Sequence, residues 1–135
     1  MYLLDTNACI RILNKTSETL LARLQQQDPS RIHVCSVVKA ELVYGAWRSS
    51  RLEANLATLR IFFAPLTSLP FDDRSAEHCG RIRAKLSRTG TPIGPYDLMI
   101  AAIARAHDLV LVTHNTDEFS RIPELRLEDW ELPST

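Results

Sequence analysis

Three acids in this chain stand where an ordinary surface charge would be out of place: Asp5, Glu41 and Asp97. Asp5 closes the apolar run Tyr2-Leu-Leu4. Glu41 lies in Val37-Val-Lys-Ala-Glu-Leu-Val43, among mostly apolar neighbours. Asp97 sits between Tyr96 and the most apolar stretch of the chain, Leu98–Ala104. Burying a carboxylate is costly unless something pairs with it. A helix dipole helps an anion in the first turn by only about 0.3–1 kcal/mol, too little to offset burial. Carboxylates converging on one rim also repel one another, and some would have to take up protons. A divalent cation resolves that conflict. Oxygen donors without His or Cys at coordinating spacing favour Mg²⁺ or Mn²⁺ over Zn²⁺. Such an ion takes one or two carboxylates, keeps waters and accepts phosphate oxygens, so the matching chemistry is attack of an activated water on a phosphodiester.

Elements must bring these acids together. Tyr2–Leu4 reads as a short buried strand, and Thr6 as the N-cap of a helix through Ile10 and Leu13. A second helix starts near Ser17, carries Leu20, Leu21 and Leu24 on one side, and stops at Asp28-Pro29. Ile32–Cys35 is a second strand. Ser36 is expected to cap a third helix, Val37 to about Arg48, and Leu52, Leu56, Leu59 and Phe63 stripe a fourth. Leu66–Leu69 is a third strand, and a fifth helix spans roughly residues 74–88 before Gly90 ends it. Pro95 suits the first position of a sixth helix, which puts Asp97 in its first turn. Leu109–Thr113 is apolar on both faces, as a central parallel strand should be. A short polar turn follows, and Leu125–Trp130 supplies an edge strand.

This alternation predicts an α/β fold: one domain over residues 1–135, with a central, mostly parallel sheet of four to five strands flanked by helices on both faces. Ligands bind beyond the carboxyl ends of such strands. Asp5 follows strand one there, Glu41 lies just over a turn past strand two, and Thr113-His-Asn115 follows strand four.

The length of 135 residues fits a single domain. The longest apolar run, Leu98–Ala104, falls far short of the ~20 residues a bilayer span requires, so no membrane partner is expected. The opening lacks the basic and apolar regions of a secretory signal. Cys9, Cys35 and Cys79 are odd in number and too far apart for a CxxC pair, which points to small buried hydrophobes in a reducing, cytoplasmic setting. The 16 basic and 16 acidic side chains cancel, but not evenly along the chain. Residues 1–112 carry 14 basic and 10 acidic side chains, and residues 113–135 carry 2 and 6. An acidic tail thus masks a body compatible with a polyanionic substrate.

Leu-Leu-Asp5-Thr-Asn, Ala40-Glu41-Leu-Val-Tyr-Gly45, Gly94-Pro-Tyr-Asp97-Leu-Met-Ile-Ala-Ala and Val112-Thr-His-Asn115 resemble the motifs of PIN-domain ribonucleases. More narrowly, nearly the whole chain is similar to VapC-type toxins of bacterial toxin–antitoxin systems, including Phe119-Ser-Arg-Ile-Pro and Leu127-Glu-Asp-Trp130. The resemblance implies Mg²⁺- or Mn²⁺-dependent endonucleolytic cleavage of RNA, often tRNA, inhibition by a cognate VapB-type antitoxin, and a homodimer. By matching position it makes Asp5, Glu41 and Asp97 the metal-site acids, with Thr6, Asn7 and Thr113 as polar support. Many relatives carry Asp at the fourth position, where this chain has Asn115. An amide there positions a water but adds no charge. Asp117, two residues on, is a candidate substitute acid, but it matches a non-acidic position of the family and better suits a first-turn helix acid.

Each of these residues also has an ordinary reading. Asp5 can be a helix cap, Glu41 the exposed end of an amphipathic helix, Asp97 a first-turn charge and Asn115 a turn former. The competing functional account is a decayed PIN-fold subunit that binds RNA or regulates without cutting. A phosphatase using Asp5 as nucleophile would want a second acid where Asn7 stands. Arg11 and Lys15, on the helix that follows Asp5, are candidate RNA contacts. Tyr44 and Trp47 fit an antitoxin groove, a base-stacking platform, or core and dimer contacts.

Overall fold

The computed structural model describes residues 1–133. Among them the strands are β1 (Tyr2–Leu4), β2 (Ile32–Cys35), β3 (Thr67–Leu69), β4 (Val110–Val112) and β5 (Leu127–Glu128). The helices are α1 (Thr6–Asn14), α2 (Glu18–Gln25), α3 (Ser36–Arg48), α4 (Leu52–Phe63), α5 (Asp73–Arg88), α6 (Pro95–Ala106) and α7 (Thr116–Phe119). The strands form one sheet in the order β3-β2-β1-β4-β5, and every pairing is parallel. Every residue of β2 and β4 is buried. Successive strand residues face opposite ways, so burial of all of them means that both faces of the sheet are covered.

The α6 sequence explains the centre of the core. Its run of Leu, Ile and Ala buries Leu98 and Ile100–Ala104 completely or nearly so, and these pack with Leu3, Leu4, Val34 and Leu111 of the sheet. Burying each Leu or Ile is worth about 1.5–3 kcal/mol. At the β5 edge the Trp130 ring is fully buried, meets Tyr2 edge-on at 4.9 Å, and donates its indole N–H to Glu128 at 2.9 Å. That contact anchors a two-residue strand too short to hold itself. Cys9 and Cys35 are buried free thiols, and Cys79 is half-buried.

Several local expectations hold. Ser17 caps α2, Pro95 opens α6, and Gly90 takes a left-handed conformation (φ 68°). The Thr91 N–H reaches Leu86 O at 2.9 Å across that glycine, and the Gly90 N–H reaches Ser87 O at 3.2 Å, the pattern that satisfies the last carbonyls of a helix. Two caps differ from expectation. Asp5, not Thr6, caps α1, because its extended backbone aims a carboxylate oxygen at the Ala8 N–H. Cys35 occupies the cap position of α3 with no side-chain bond, and Ser36 is already helical. The α2 helix ends at Gln25 rather than at Asp28-Pro29, and Pro29–Arg31 forms a 3₁₀ turn capped by Asp28. The polar turn after β4 contains α7, and the edge strand contracts to Leu127–Glu128. No described helix is long and apolar enough to cross a membrane.

Candidate active site

The sheet turns outward in both directions from the adjacent pair β1 and β4, so their carboxyl ends flank the crevice where parallel α/β sheets bind ligands. Asp5 enters that crevice straight from β1. Its backbone N–H donates to Val112 O at 3.1 Å, and its Oδ1 accepts the Ala8 N–H at 2.8 Å. The Thr113 side chain, immediately after β4, lies beside the same carboxylate and favours its charged form. Asp5 is only 3% exposed. Burial pushes its carboxyl up from 3.8 to about 6, outweighing the Thr113 side chain and the Ala8 hydrogen bond, and the charges of Asp97 and Glu131 add to the rise. An N-cap carboxylate ordinarily titrates low. This one does not, because it is desolvated without a cation.

Asp97 is the third residue of α6 and half-buried. Its carboxyl is also raised, first by burial and then by the charges of Glu41 and Glu118. Glu41, half-buried on α3, accepts the Thr6 hydroxyl at 2.7 Å, which ties α3 to the start of α1. Among the described residues, none of Asp5, Glu41 and Asp97 pairs with an arginine or lysine. The sheet therefore brings together the three acids read from the sequence and leaves their charge uncompensated by protein.

This donor set fits a hard divalent cation. It offers carboxylate oxygens with hydroxyls behind them, and a buried anion that nothing in the protein neutralises. The three carboxylates do not come within 4.8 Å of one another as a trio. That spacing suits an ion that binds one or two carboxylates directly and reaches the rest through water. A tighter trio among the described residues is His114, Asp129 and Glu131, which the protein's own contacts already satisfy. His114 Nδ1 lies 2.9 Å from Asp129 and 3.8 Å from Glu131, and Arg11 Nε pairs with Glu131 at 3.2 Å.

The supporting residues divide. Thr6 and Thr113 sit against the acids. Asn7 is exposed, with no side-chain hydrogen bond among the described residues. Asn115 is held by its N–H to Thr113 Oγ1 at 3.0 Å and donates its Nδ2 to Glu118 at 3.0 Å. Asp117 is exposed and outside this network. The carboxylate beside Asn115 belongs to Glu118, the residue that reading along the sequence missed. The contact is side chain to side chain and not a capping box. The Asn115 side chain caps no helix N–H and its own N–H goes to Thr113, so no helix-start pattern announced it. Glu131, which the charge on Asp5 feels, was missed as well. Arg11 is engaged by Glu131, and Lys15 caps the far end of α1, about 15 Å along the axis from Asp5.

An all-parallel sheet with uncompensated acids at its central crevice defines a metal-dependent nuclease of the PIN type. The PIN domain model matches residues 2–125, and the chain belongs to that family. Within it the chain groups with the VapC ribonucleases, the toxins of VapBC toxin–antitoxin systems. It is 45% identical to the tRNA(fMet)-specific endonuclease VapC of Salmonella typhimurium, across 96% of this chain and 97% of that relative. It is 41% identical to the enzyme of the same name from Shigella flexneri, over the same shares. The structure of DNA-bound VapBC from Salmonella typhimurium superimposes with a TM-score of 0.90, covering 96% of this chain and 97% of that one. VapBC2 from Rickettsia felis, bound to a promoter DNA fragment, gives 0.89 at 38% identity, covering 96% and 98%. A decayed, non-cutting subunit is not favoured, because the relatives carry the ribonuclease name.

Proposed function

We propose that this VapC-type ribonuclease cleaves tRNA, the initiator tRNA named for its Salmonella and Shigella relatives, using Mg²⁺ or Mn²⁺ held by Asp5 and Asp97 with Glu41 completing the shell. A divalent ion there supplies a water made nucleophilic at neutral pH and stabilises charge on the phosphodiester. The protein groups do the positioning. Thr113 and the Ala8 N–H fix the Asp5 carboxylate at the end of β1. Thr6 holds Glu41 in one orientation, leaving its second oxygen free to accept from a water. Asn115 and Glu118 orient a second water on the β4 side of the crevice. Arg11, once exchanged from Glu131 to a phosphate, and Lys15 at the helix end extend the RNA track.

The observation that carries this reading is the buried Asp5 carboxyl, raised to about 6 and paired with no cation of the protein. A VapB-type antitoxin is the partner, as the VapBC complexes among the structural neighbours support, and a cytoplasmic homodimer is the assembly that the family resemblance implies. The experiment is end-mapping of cellular RNAs after a brief pulse of expression, with Asp97→Asn as control. One dominant cut in initiator tRNA, lost in the control, supports the proposal. Cuts confined to other RNAs refute the substrate, and equal cutting by the control refutes the role of Asp97.

A further inference from the structure

A cavity of about 490 Å³ opens beside Glu41, lined by Ala40, Glu41, Tyr44 and Tyr96. Its two aromatic walls come from different elements. Tyr44 stands one helical turn beyond Glu41 on α3, and Tyr96 immediately precedes Asp97 on α6. Tyr44 is 61% exposed and Tyr96 58%, so neither ring is required by the core. Leaving two large rings open to water is unfavourable unless something covers them in use. Arg48 fixes the first ring: its Nη1 donates to the Tyr44 hydroxyl at 3.0 Å, and its guanidinium lies 5.7 Å from the ring centre. The Tyr96 hydroxyl has no hydrogen bond within the described residues and is free to donate or accept. Ala40 has the smallest side chain of the lining, which keeps the space open.

We infer that this cavity is a nucleobase pocket in which Tyr44 and Tyr96 stack and select a base flanking the scissile phosphodiester. This rests on RNA being cut at the acid crevice. The chemistry of the walls narrows the occupant. A free phosphate is repelled by Glu41, and no cationic side chain lines the cavity. The rings instead offer π faces, and the free Tyr96 hydroxyl addresses a base edge. Glu41 is itself part of the cavity wall and Tyr96 is the chain neighbour of Asp97, so the cavity adjoins the acids at which the phosphodiester would be held. Unpaired bases splayed onto aromatic side chains are a general mode of single-stranded RNA recognition. The volume lies within the roughly 300–1,000 Å³ of small-ligand pockets. Arg48, exposed at the outer edge of Tyr44, adds a cation for the next phosphate.

The test is equilibrium binding of fluorescein-labelled short single-stranded RNA of mixed sequence to the full chain. Calcium replaces magnesium, and the oligonucleotide is checked to be intact afterwards. It is paired with cut-site mapping in magnesium. Tyr44→Leu and Tyr96→Leu are each expected to weaken binding by about tenfold, with Tyr44→Phe within about twofold of the parent and Tyr96→Phe, which keeps the ring but loses the hydroxyl, between Tyr96→Leu and the parent. In cleavage the Leu variants raise KM far more than they lower kcat, and the base preference at one flanking nucleotide flattens. Leu variants that bind and cut as the parent does overturn the pocket, as does a parent that binds no oligonucleotide. Leu variants that keep RNA binding but escape antitoxin inhibition overturn it too, assigning the rings to the protein partner. A parent that binds with this aromatic dependence yet cuts no RNA refutes the nuclease reading and leaves the pocket standing.

Discussion

Replacing Asp5 by Asn should make the metal-free protein more stable while destroying its activity. Each unit of pKa shift corresponds to about 1.4 kcal/mol. A rise from 3.8 to about 6 therefore costs the native state about 3 kcal/mol once the carboxyl is ionised. Between those two values the folded protein retains a proton that the unfolded chain has released. Unfolding free energy consequently falls as pH rises from about 4 to about 6, and stays low above it. Asp97, raised by the same burial, adds in the same direction. An Asn side chain keeps the oxygen that accepts the Ala8 N–H, so the α1 cap survives the substitution. In urea titrations followed by circular dichroism with EDTA, Asp5→Asn should exceed the wild type by up to about 3 kcal/mol near pH 7.5. The gap should close near pH 4. Magnesium at about a hundred times its dissociation constant should return about 2.7 kcal/mol to the wild type and nothing to the variant. A variant no more stable than wild type at pH 7.5, or a gap independent of pH, would refute the claim that Asp5 is a buried charge waiting for a cation.

Asp97→Asn should lower RNA cleavage by at least about 100-fold in gel assays of purified protein, with an unchanged circular dichroism spectrum, because it removes a charge rather than a core contact. Thr6→Val removes the 2.7 Å hydrogen bond to Glu41 and should weaken Mn²⁺ affinity or turnover by about 10–100-fold, read by calorimetric titration alongside kinetics. Ile103→Ala, at a fully buried position of α6, should cost about 2–5 kcal/mol in urea unfolding. A cost below 1 kcal/mol would mean that α6 does not form the centre of the core.

The contrast between Asp117 and Glu118 shows where reading along the chain stops being reliable. Both are acids in a polar stretch after β4, and nothing in composition separates them. Their roles diverge because α7 begins at Thr116, which puts Glu118 one turn from Asn115 and within its reach, and leaves Asp117 in solvent. A helix of four residues has too little periodicity to be seen in advance. The same holds for Thr6 and Asp5. Both residue types cap helices, and the choice fell to Asp5 because the exit geometry of β1 aims its carboxylate at the Ala8 N–H.

Local chemistry was enough for the elements whose signals lie within a few residues of one another. The apolar run of α6, the Pro95 start, the Gly90 stop and the buried strands β1, β2 and β4 were all legible, as were Asp5, Glu41 and Asp97 as acids in apolar company. Distances along the chain carry no such information about contacts between residues far apart. That Thr113 would lie against Asp5, that Glu131 would hold Arg11 and press its charge on Asp5, and that Tyr44 and Tyr96 would face one cavity followed only when the sheet packed. Electrostatic and stacking energies depend on separation in space and on exclusion of water, and both are set by the assembled core rather than by neighbours in the chain.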